Sequence, residues 1–576
     1  VNIAKRNYSQ VYKDFNDASF GSLMLDTVAY VGDVLSFYLD YQVNESFLDT
    51  AVEYKNVSRL AKQYGYREQG MPSATGVVEF YVTVPANEAG LGPDLRYAPL
   101  LKKDSQFSTT AGAPYLLIDD VNFKNPNNEI IVAKVNSTTG IPISYAIRAK
   151  GRVISGKIAQ ETFNVGAYQR FRRLFLSLPR VAEVISVFDQ DGNEYYQVSN
   201  LSQDVIYRNV ANRGANQDEV SELLRPFSVP RRFTLEREGR STYLQFGYGS
   251  QDELSPTADV ADPSNVVLKM NGRGYISEVS FDPSKLLETD KFGVAPVNCT
   301  LTVQYRVNMV DNVNAPVGTL SRVDNASFSY ENIRVLNPAL TSQVELSLEC
   351  YNGEPIVGDV SNPTSEELKI RTMDVFATQN RAVTKTDYEA MVYAMPTKFG
   401  AIKRCKIVRD TDSFKRNLNL YILSENATGQ LTLANSTLKT NLKTWLNSVK
   451  MINDTIDIID GRIVNLAIEF RAIASSDANK FDVLNSCYEA LKRKYKQPLL
   501  IGESFYITDV YNVLNDVEGV VDVENVKVNI KNGGLYSDTR FNLNSRKSAD
   551  GRYISAPDNV AFEIKFADKD IKGTIK

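Results

Sequence analysis

The stretch FGSLMLDTVAYVGDVLSFYLDYQ, which follows the polar run DFNDAS near the start of the chain, is the feature that most restricts the fold. Leu25, Val28, Val31, Leu35 and Tyr38 recur at spacings of three or four and share one helical stripe. Met24, Val34, Phe37 and Tyr41 put further apolar groups on other faces. A helix apolar on more than one side must be covered from several directions, often by other chains. A second helical segment follows, with Val57, Leu60, Ala61 and Tyr64 in register and Gly65 where a glycine ends a helix.

The 576 residues exceed what one hydrophobic core can organise, and about three to five compact units are expected. The fold class read from the pattern is multidomain α+β, in four parts. Residues 1–75 form an N-terminal helical segment. Residues 76–370 form a β-rich middle region with insertions, where GVVEFYVTV alternates Val78, Phe80, Val82 and Val84 on one face. ISVFDQDGNEYYQV in that region reads as a hairpin turning at Asp191-Gly192.

Residues 371–530 alternate helices and strands as small α+β domains. Thr384 and Asp387 make a capping-box start for a helix carrying Tyr388, Met391, Val392 and Met395. Leu438, Leu442, Trp445 and Val449 mark the next helix, and Phe481, Leu484, Tyr488, Leu491 and Tyr495 a third. Residues 531–576 read as an extended polar tail, with a strand candidate in AFEIKF, of the kind that orders against a neighbour.

Composition removes several function classes. With 65 basic and 69 acidic residues, the net charge of −4 argues against nucleic acid as a main partner. The basic clusters Arg170, Arg172 and Arg173 in YQRFRRLF, and Lys492, Arg493, Lys494 and Lys496 in LKRKYK, read as solvated faces or cationic helix ends. Cys299, Cys350, Cys405 and Cys487 are scattered without CxxC spacing, which suits free thiols in a reducing compartment.

No run approaches the roughly 18 apolar residues of a membrane span, so no membrane insertion is expected. No secretion signal is evident at the start either, and the expectation is a soluble protein made in a cytoplasm. The absence of histidine excludes Ser-His-Asp triads, Cys-His pairs and His-ligated metals. Asp454, Asp457 and Asp460 read as a solvated loop, and Asp189 and Asp191 as turn residues. The glycines of GYGSQD and NGRGY complete no phosphate-binding motif. Neither an enzyme nor a resident cofactor or metal is expected.

Three segments in order carry a resemblance. FGSLMLDTVAYVGDVLSFYLDYQVNESFLDTAVEYKNVSRLAKQYGY, with its Asn44-Glu45 pair, leads into MPSATGVVEFYVTV. YLQFGYGSQDELSP contains a Phe-Gly-x-Gly turn and is followed by LTVQYRV. RAVTKTDYEAMV has a Thr-x-x-Asp-Tyr-Glu helix start, with IKRCKIV and DVEGVVDVENVKV beyond it. Together they resemble the baseplate J-like family of contractile-tailed phages, and are most similar to its large baseplate wedge subunits in T-even-like phages. Tyr248 departs from the pattern, since many members carry Asp there.

The resemblance implies a structural subunit of a baseplate wedge, a late protein located in the tail baseplate of the virion and assembled in the host cytoplasm. It implies pairing with itself as a homodimer, linkage of wedges into a ring around the hub, and rearrangement on sheath contraction. Implied partners are a second wedge protein, through the N-terminal helices, and other baseplate and sheath-initiating proteins. On this reading Leu25, Val28, Val31, Leu35 and Tyr38 are the apolar seam of the shared bundle, and the inter-wedge contact falls within 384–530.

A glycan-binding or glycan-degrading tail protein is the alternative, although Trp445, the single tryptophan, reads as core. A secreted adhesin is a third.

Overall fold

The computed structural model describes residues 6, 10, 20–66, 70–87, 91–212, 222–238, 241–249, 292–410 and 417–576. An N-terminal helix, a β-rich middle and C-terminal α+β segments follow one another as expected. The chain divides into two compact units: Val1–Glu68 with Asn362–Met391, and Gln69–Ser361 with Val392–Lys576.

The first unit is helical. Helix α1 (Phe20–Asn44) leads through a short turn to α2 (Tyr54–Gln63). Helix α3 (Ser365–Thr378) returns to α2, and Val57, Ala61 and Leu368 close a small core with Leu48 and Ala51. Thr364 caps α3 by accepting from the Glu367 N–H. The capping box at the start of α4 (Lys385–Tyr393) forms as the spacing predicts. Asp387 N–H donates to Thr384 Oγ1 at 3.2 Å, and Thr384 N–H donates to Asp387 Oδ2 at 2.8 Å.

The second unit opens with a mixed-length antiparallel sheet. Strand β1 (Thr75–Pro85) pairs with β2 (Pro142–Ser155) from Thr75↔Ile154 to Pro85↔Ser144. Val78, Phe80, Val82 and Val84 are all buried, which is the predicted face. Gly151 on β2 is needed for this core, because a Cβ there would lie 2.6 Å from Val121 and 2.9 Å from Phe80.

Two further sheets share one core. β3 (Lys157–Val165) and β5 (Val181–Asp189) flank β11 (Cys299–Val307). The other sheet runs from edge strand β4 (Arg173–Phe175) through β10 (Ser241–Phe246) and β9 (Arg232–Glu238) to β6 (Tyr196–Gln197). Val187, Val303, Tyr305, Leu244 and Phe246 fill the space they enclose. Strands β7 (Val205–Ala211) and β8 (Glu222–Ser228) form a separate two-stranded ribbon.

Buried polar side chains tie these sheets together. The Arg306 guanidinium pairs with Glu183 at 2.9 Å and donates to Ser73 Oγ at 2.9 Å and to the Ser155 carbonyl. Such groups are tolerated inside only when their donors are satisfied.

In the C-terminal part, β12 (Arg404–Arg409) and β14 (Thr455–Asp460) flank β13 (Asn417–Glu425), and α5 (Ser436–Asn447) is capped by Asn435. Strand β15 (Arg462–Ala474) pairs with β16 (Val520–Lys531), under α6 (Lys480–Lys494) and α7 (Ile507–Asn515).

On α6 the predicted Leu484, Tyr488, Leu491 and Tyr495 all pack on the core, Val483 and Cys487 are buried beside them, and Phe481 alone of the stripe is out, at 81% exposed. On α5 the line is Leu438, Leu442 and Leu446, with Trp445 half-buried beside it. After residue 530 the chain comes back to its own sheet: Val560–Glu563 and Ile571–Ile575 both lie parallel to β15. The neighbour that orders it is β15 itself.

Candidate functional site

On α1 the five residues of the predicted seam stay uncovered among the described residues. Leu25 is 37% exposed, Val28 69%, Val31 49%, Leu35 58% and Tyr38 59%. Ser22 is the buried residue of this helix. Asp26, Asp33 and Asp40 are seven residues apart, so at 3.6 residues per turn they form one acidic line. Val28, Val31, Leu35 and Tyr38 lie on the opposite side, with the three-four spacing of a bundle seam. Leu25 sits about 100° around from the middle of that seam, at 100° per residue. The apolar surface thus extends well beyond one seam, as the sequence suggested.

By length and composition alone α1 would reach across a membrane, with mean hydropathy 1.2 in its most apolar 18-residue window and 6% of that window buried. This corrects the statement that no run approaches a span. An uninterrupted apolar run was sought, whereas the helix averages past aspartates spaced seven apart. The acidic line bears against a lipid surround, where each buried carboxylate is costly.

Glu45, second of the Asn-Glu pair, fastens the turn after α1. Its carboxylate accepts from the Val52 N–H at 2.9 Å and from Asn56 Nδ2 at 2.8 Å. These hydrogen bonds, that of Asn56 first, hold its carboxyl below the usual glutamate range. A depressed carboxyl contributes stability above its unfolded pKa of about 4.3, and loses it as pH falls through the lower folded value. Glu45→Gln should therefore loosen the α1–α2 turn at neutral pH, seen as faster amide exchange at Val52 and Asn56. Unchanged exchange would remove Glu45 from this role.

The Phe-Gly-x-Gly turn is held by its backbone. A Cβ on Gly247 would lie 2.1 Å from the Phe292 carbonyl oxygen, so nothing larger than glycine fits. Gly249 exchanges backbone bonds with Gly293 and Ala295. Tyr248, the departure from the family pattern, has its ring between Phe171 and Phe292, with centroids at 5.2 and 5.9 Å. The backbone contacts of Gly247 and Gly249 close the turn without a hydrogen bond from the Tyr248 side chain. The rest of GYGSQD, and NGRGY, lie outside the described residues.

The remaining candidates disperse. Asp189 caps its own turn by accepting from the N–H groups of Asp191 and Asn193. The group expected as a solvated loop is a strand from 455 on: Asp457 and Asp460 lie on β14, and Asp460 pairs with Lys439 at 2.6 Å. All four thiols are free, and three are buried. LKRKYK closes α6 as a cationic helix end, with Lys492 paired to Asp568 at 2.7 Å. YQRFRRLF is not helical: it is a turn leading into edge strand β4.

One site was invisible in the sequence. Lys403 and Glu425, both almost fully buried, pair at 3.0 Å, and Glu425 also accepts from Ser361 N–H at 3.1 Å and Oγ at 2.9 Å. Beside them, Asp359 Oδ2 accepts from the Val313 N–H at 3.0 Å, and its backbone exchanges bonds with the Asn314 side chain. Asn314 reaches on to the Glu425 carbonyl at 2.9 Å. This junction fastens the segment after β11 to β12 and β13.

Burial, with Glu425 and Asp311 adding to it, pushes the Asp359 carboxyl up to about 7 against the pull of the Val313 N–H and Arg180. A raised carboxyl contributes stability that is complete below about pH 4 and is lost as pH rises through about 7. Asp359→Asn keeps an acceptor for Val313 and should flatten stability between those limits. At pH 8 the variant should be more stable by about 2 kcal/mol, measured by denaturant midpoints. Equal pH profiles for both proteins would contradict the assignment.

Comparison with known proteins gives the following. No curated protein matches the chain. Among solved structures, the anti-feeding prophage baseplate is similar at TM-score 0.24 and 9% identity, over 98% of this chain and 89% of that one. The TssK-TssF-TssG baseplate subcomplex of a type VI secretion system is similar at TM-score 0.22 and 9% identity, over 76% of this chain and 96% of that one. Scores this low carry no structural argument. The informative likeness lies in the segment that contains α1 and α2: residues 4–63 match the family described as bacteriophage baseplate protein, N-terminal domain.

Proposed function

We propose that this chain is a structural subunit of a phage contractile-tail baseplate wedge. It pairs with itself, meets a second wedge protein through α1 and α2, and contributes to a ring of wedges around the hub that rearranges as the sheath contracts. Other baseplate and sheath-initiating proteins contact it in the virion, after assembly in the host cytoplasm. The inter-wedge contact is placed in 384–530. No catalysis, cofactor, metal, nucleic acid or membrane is assigned.

The observation that supports this most is the coincidence of two facts in one segment. Residues 4–63 match a phage baseplate N-terminal domain, and within them α1 leaves an apolar seam uncovered. Contiguous exposed apolar surface of this extent marks an interaction site. The half-buried Trp445 offers no aromatic platform for the glycan alternative.

The test is localisation. Electron microscopy of tail particles carrying a tagged copy should place the tag in a ring around the tube. A tag on fibres, or absent from particles, would refute the proposal.

A further inference from the structure

The loop after β3 and edge strand β4 carry two exposed arginines and two exposed aromatic rings, independent of the α1 seam. Arg170, Phe171, Arg173 and Phe175 are exposed. The Arg173 guanidinium lies 5.2 Å over the Tyr243 ring, against which Phe175 also packs at 5.0 Å. Arg172 donates to the Ala167 carbonyl, while its Nε is buried without a partner. None of the three arginines makes an ion pair among the described residues. Two exposed cations outside any ion pair, among the described residues, are a local positive excess on a chain that is net acidic.

Two further observations concern shape. Phe171 has φ +50 and Phe292 φ +63, left-handed conformations that cost aromatic residues about 1–3 kcal/mol each and gather where geometry is functional. And among the described residues β4 pairs on one side, with β10. Leu174 pairs with Leu244, Phe246 N–H donates to the Arg172 carbonyl, and Leu176 N–H donates to the Thr242 carbonyl. By the alternation of an antiparallel ladder, the backbone groups of Arg173 and Phe175 point away from the sheet.

We propose that this ledge docks an extended, acidic segment of a partner protein, which adds a strand to β4. Its carboxylates meet Arg170 and Arg173 in charge-assisted pairs, and an apolar side chain seats against Phe171 and Phe175. The sign of the charge selects an anion. The open edge selects a polypeptide, since only a peptide backbone supplies donors and acceptors at strand spacing.

The test uses the full chain and a short fluorescein-labelled peptide of alternating glutamate and valine, read by anisotropy. Binding should saturate and weaken with salt. Arg170→Glu with Arg173→Glu should weaken it at least about tenfold, while Arg493→Glu with Lys496→Glu leaves it unchanged. Phe171→Asn, which suits a left-handed backbone, should weaken binding with no loss of melting temperature. The peptide N-methylated on alternate residues should lose binding.

Each of the following results overturns the proposal. Absence of saturable binding means the arginines only guard an edge. Undiminished binding by the arginine variant, or by the methylated peptide, removes the ledge or the added strand. Tighter binding of oligothymidine or heparin than of the peptide makes the site one for another polymer. A change of oligomeric state in the arginine variant makes a second copy the occupant.

Discussion

If the proposed wedge role holds, Val31→Asp with Leu35→Asp should abolish co-assembly of this chain with the partner chains while leaving the remainder folded. Both side chains lie on the seam opposite Asp26, Asp33 and Asp40, and both are exposed in the chain alone. In a bundle they would be enclosed, and each unpaired carboxylate would then cost about 1–3 kcal/mol or more. Two such groups lower association at least about thirtyfold. Neither contributes to a core within the described residues, so the melting transition should move little, as for surface substitutions of about 0.5 kcal/mol or less. Ser36→Asp, on the acidic side of the helix, should co-assemble as the unmodified chain does. The readout is co-purification after co-expression, with circular dichroism as the folding control. Normal yield of the double variant in complex would show that the seam lies elsewhere.

The second large effect belongs to the buried junction. Lys403→Met should destabilise the second unit by about 3–5 kcal/mol, because it leaves Glu425 charged, buried and without its cation. Adding Glu425→Gln should recover much of the loss: the amide still accepts from Ser361, and no uncompensated charge remains. Denaturant midpoints of the two single variants and the double variant give the coupling. Additive effects would mean the pair acts as two separate groups. The same junction is where a histidine-free chain keeps a group that titrates near neutrality, the carboxyl of Asp359.

What was legible in the sequence was local. The alternation of β1, the capping box of α4, the Asp191-Gly192 turn and the multi-sided apolar character of α1 are each set by neighbours within a few positions. Their physical causes are pleat, cap and helical period. The α6 stripe packs as predicted except at Phe481, and the core also takes the adjacent row of Val483 and Cys487. Both rows are apolar, and how deeply each is buried depends on β15, where Phe470 meets Tyr488 at 5.8 Å. Periodicity has no access to that.

The junction could not be read at all, since Asp359, Lys403 and Glu425 stand in unrelated local contexts and acquire meaning only when the fold buries them together. YQRFRRLF read as a solvated face or a helix end, and of the two it is the solvated face that the exposed Arg170 and Arg173 present. In the chain it is an edge strand, since Leu174 and Leu176 are claimed by the sheet core through β10. Of the candidate site, the seam on α1 was visible beforehand, and the Glu45 clasp was visible only as half of a motif.

The closing of α2 by α3 has a consequence in time. Val57 and Ala61 are covered by Leu368, which lies 311 positions after Val57 (368 − 57). At synthesis rates of about 5–20 residues per second, that interval is roughly 15–60 s on the ribosome. Throughout it, α2 has emerged without the residue that covers it, and α1 beside it is bare. Until α3 arrives to close over α2, both helices present their apolar residues to whatever lies near the ribosome.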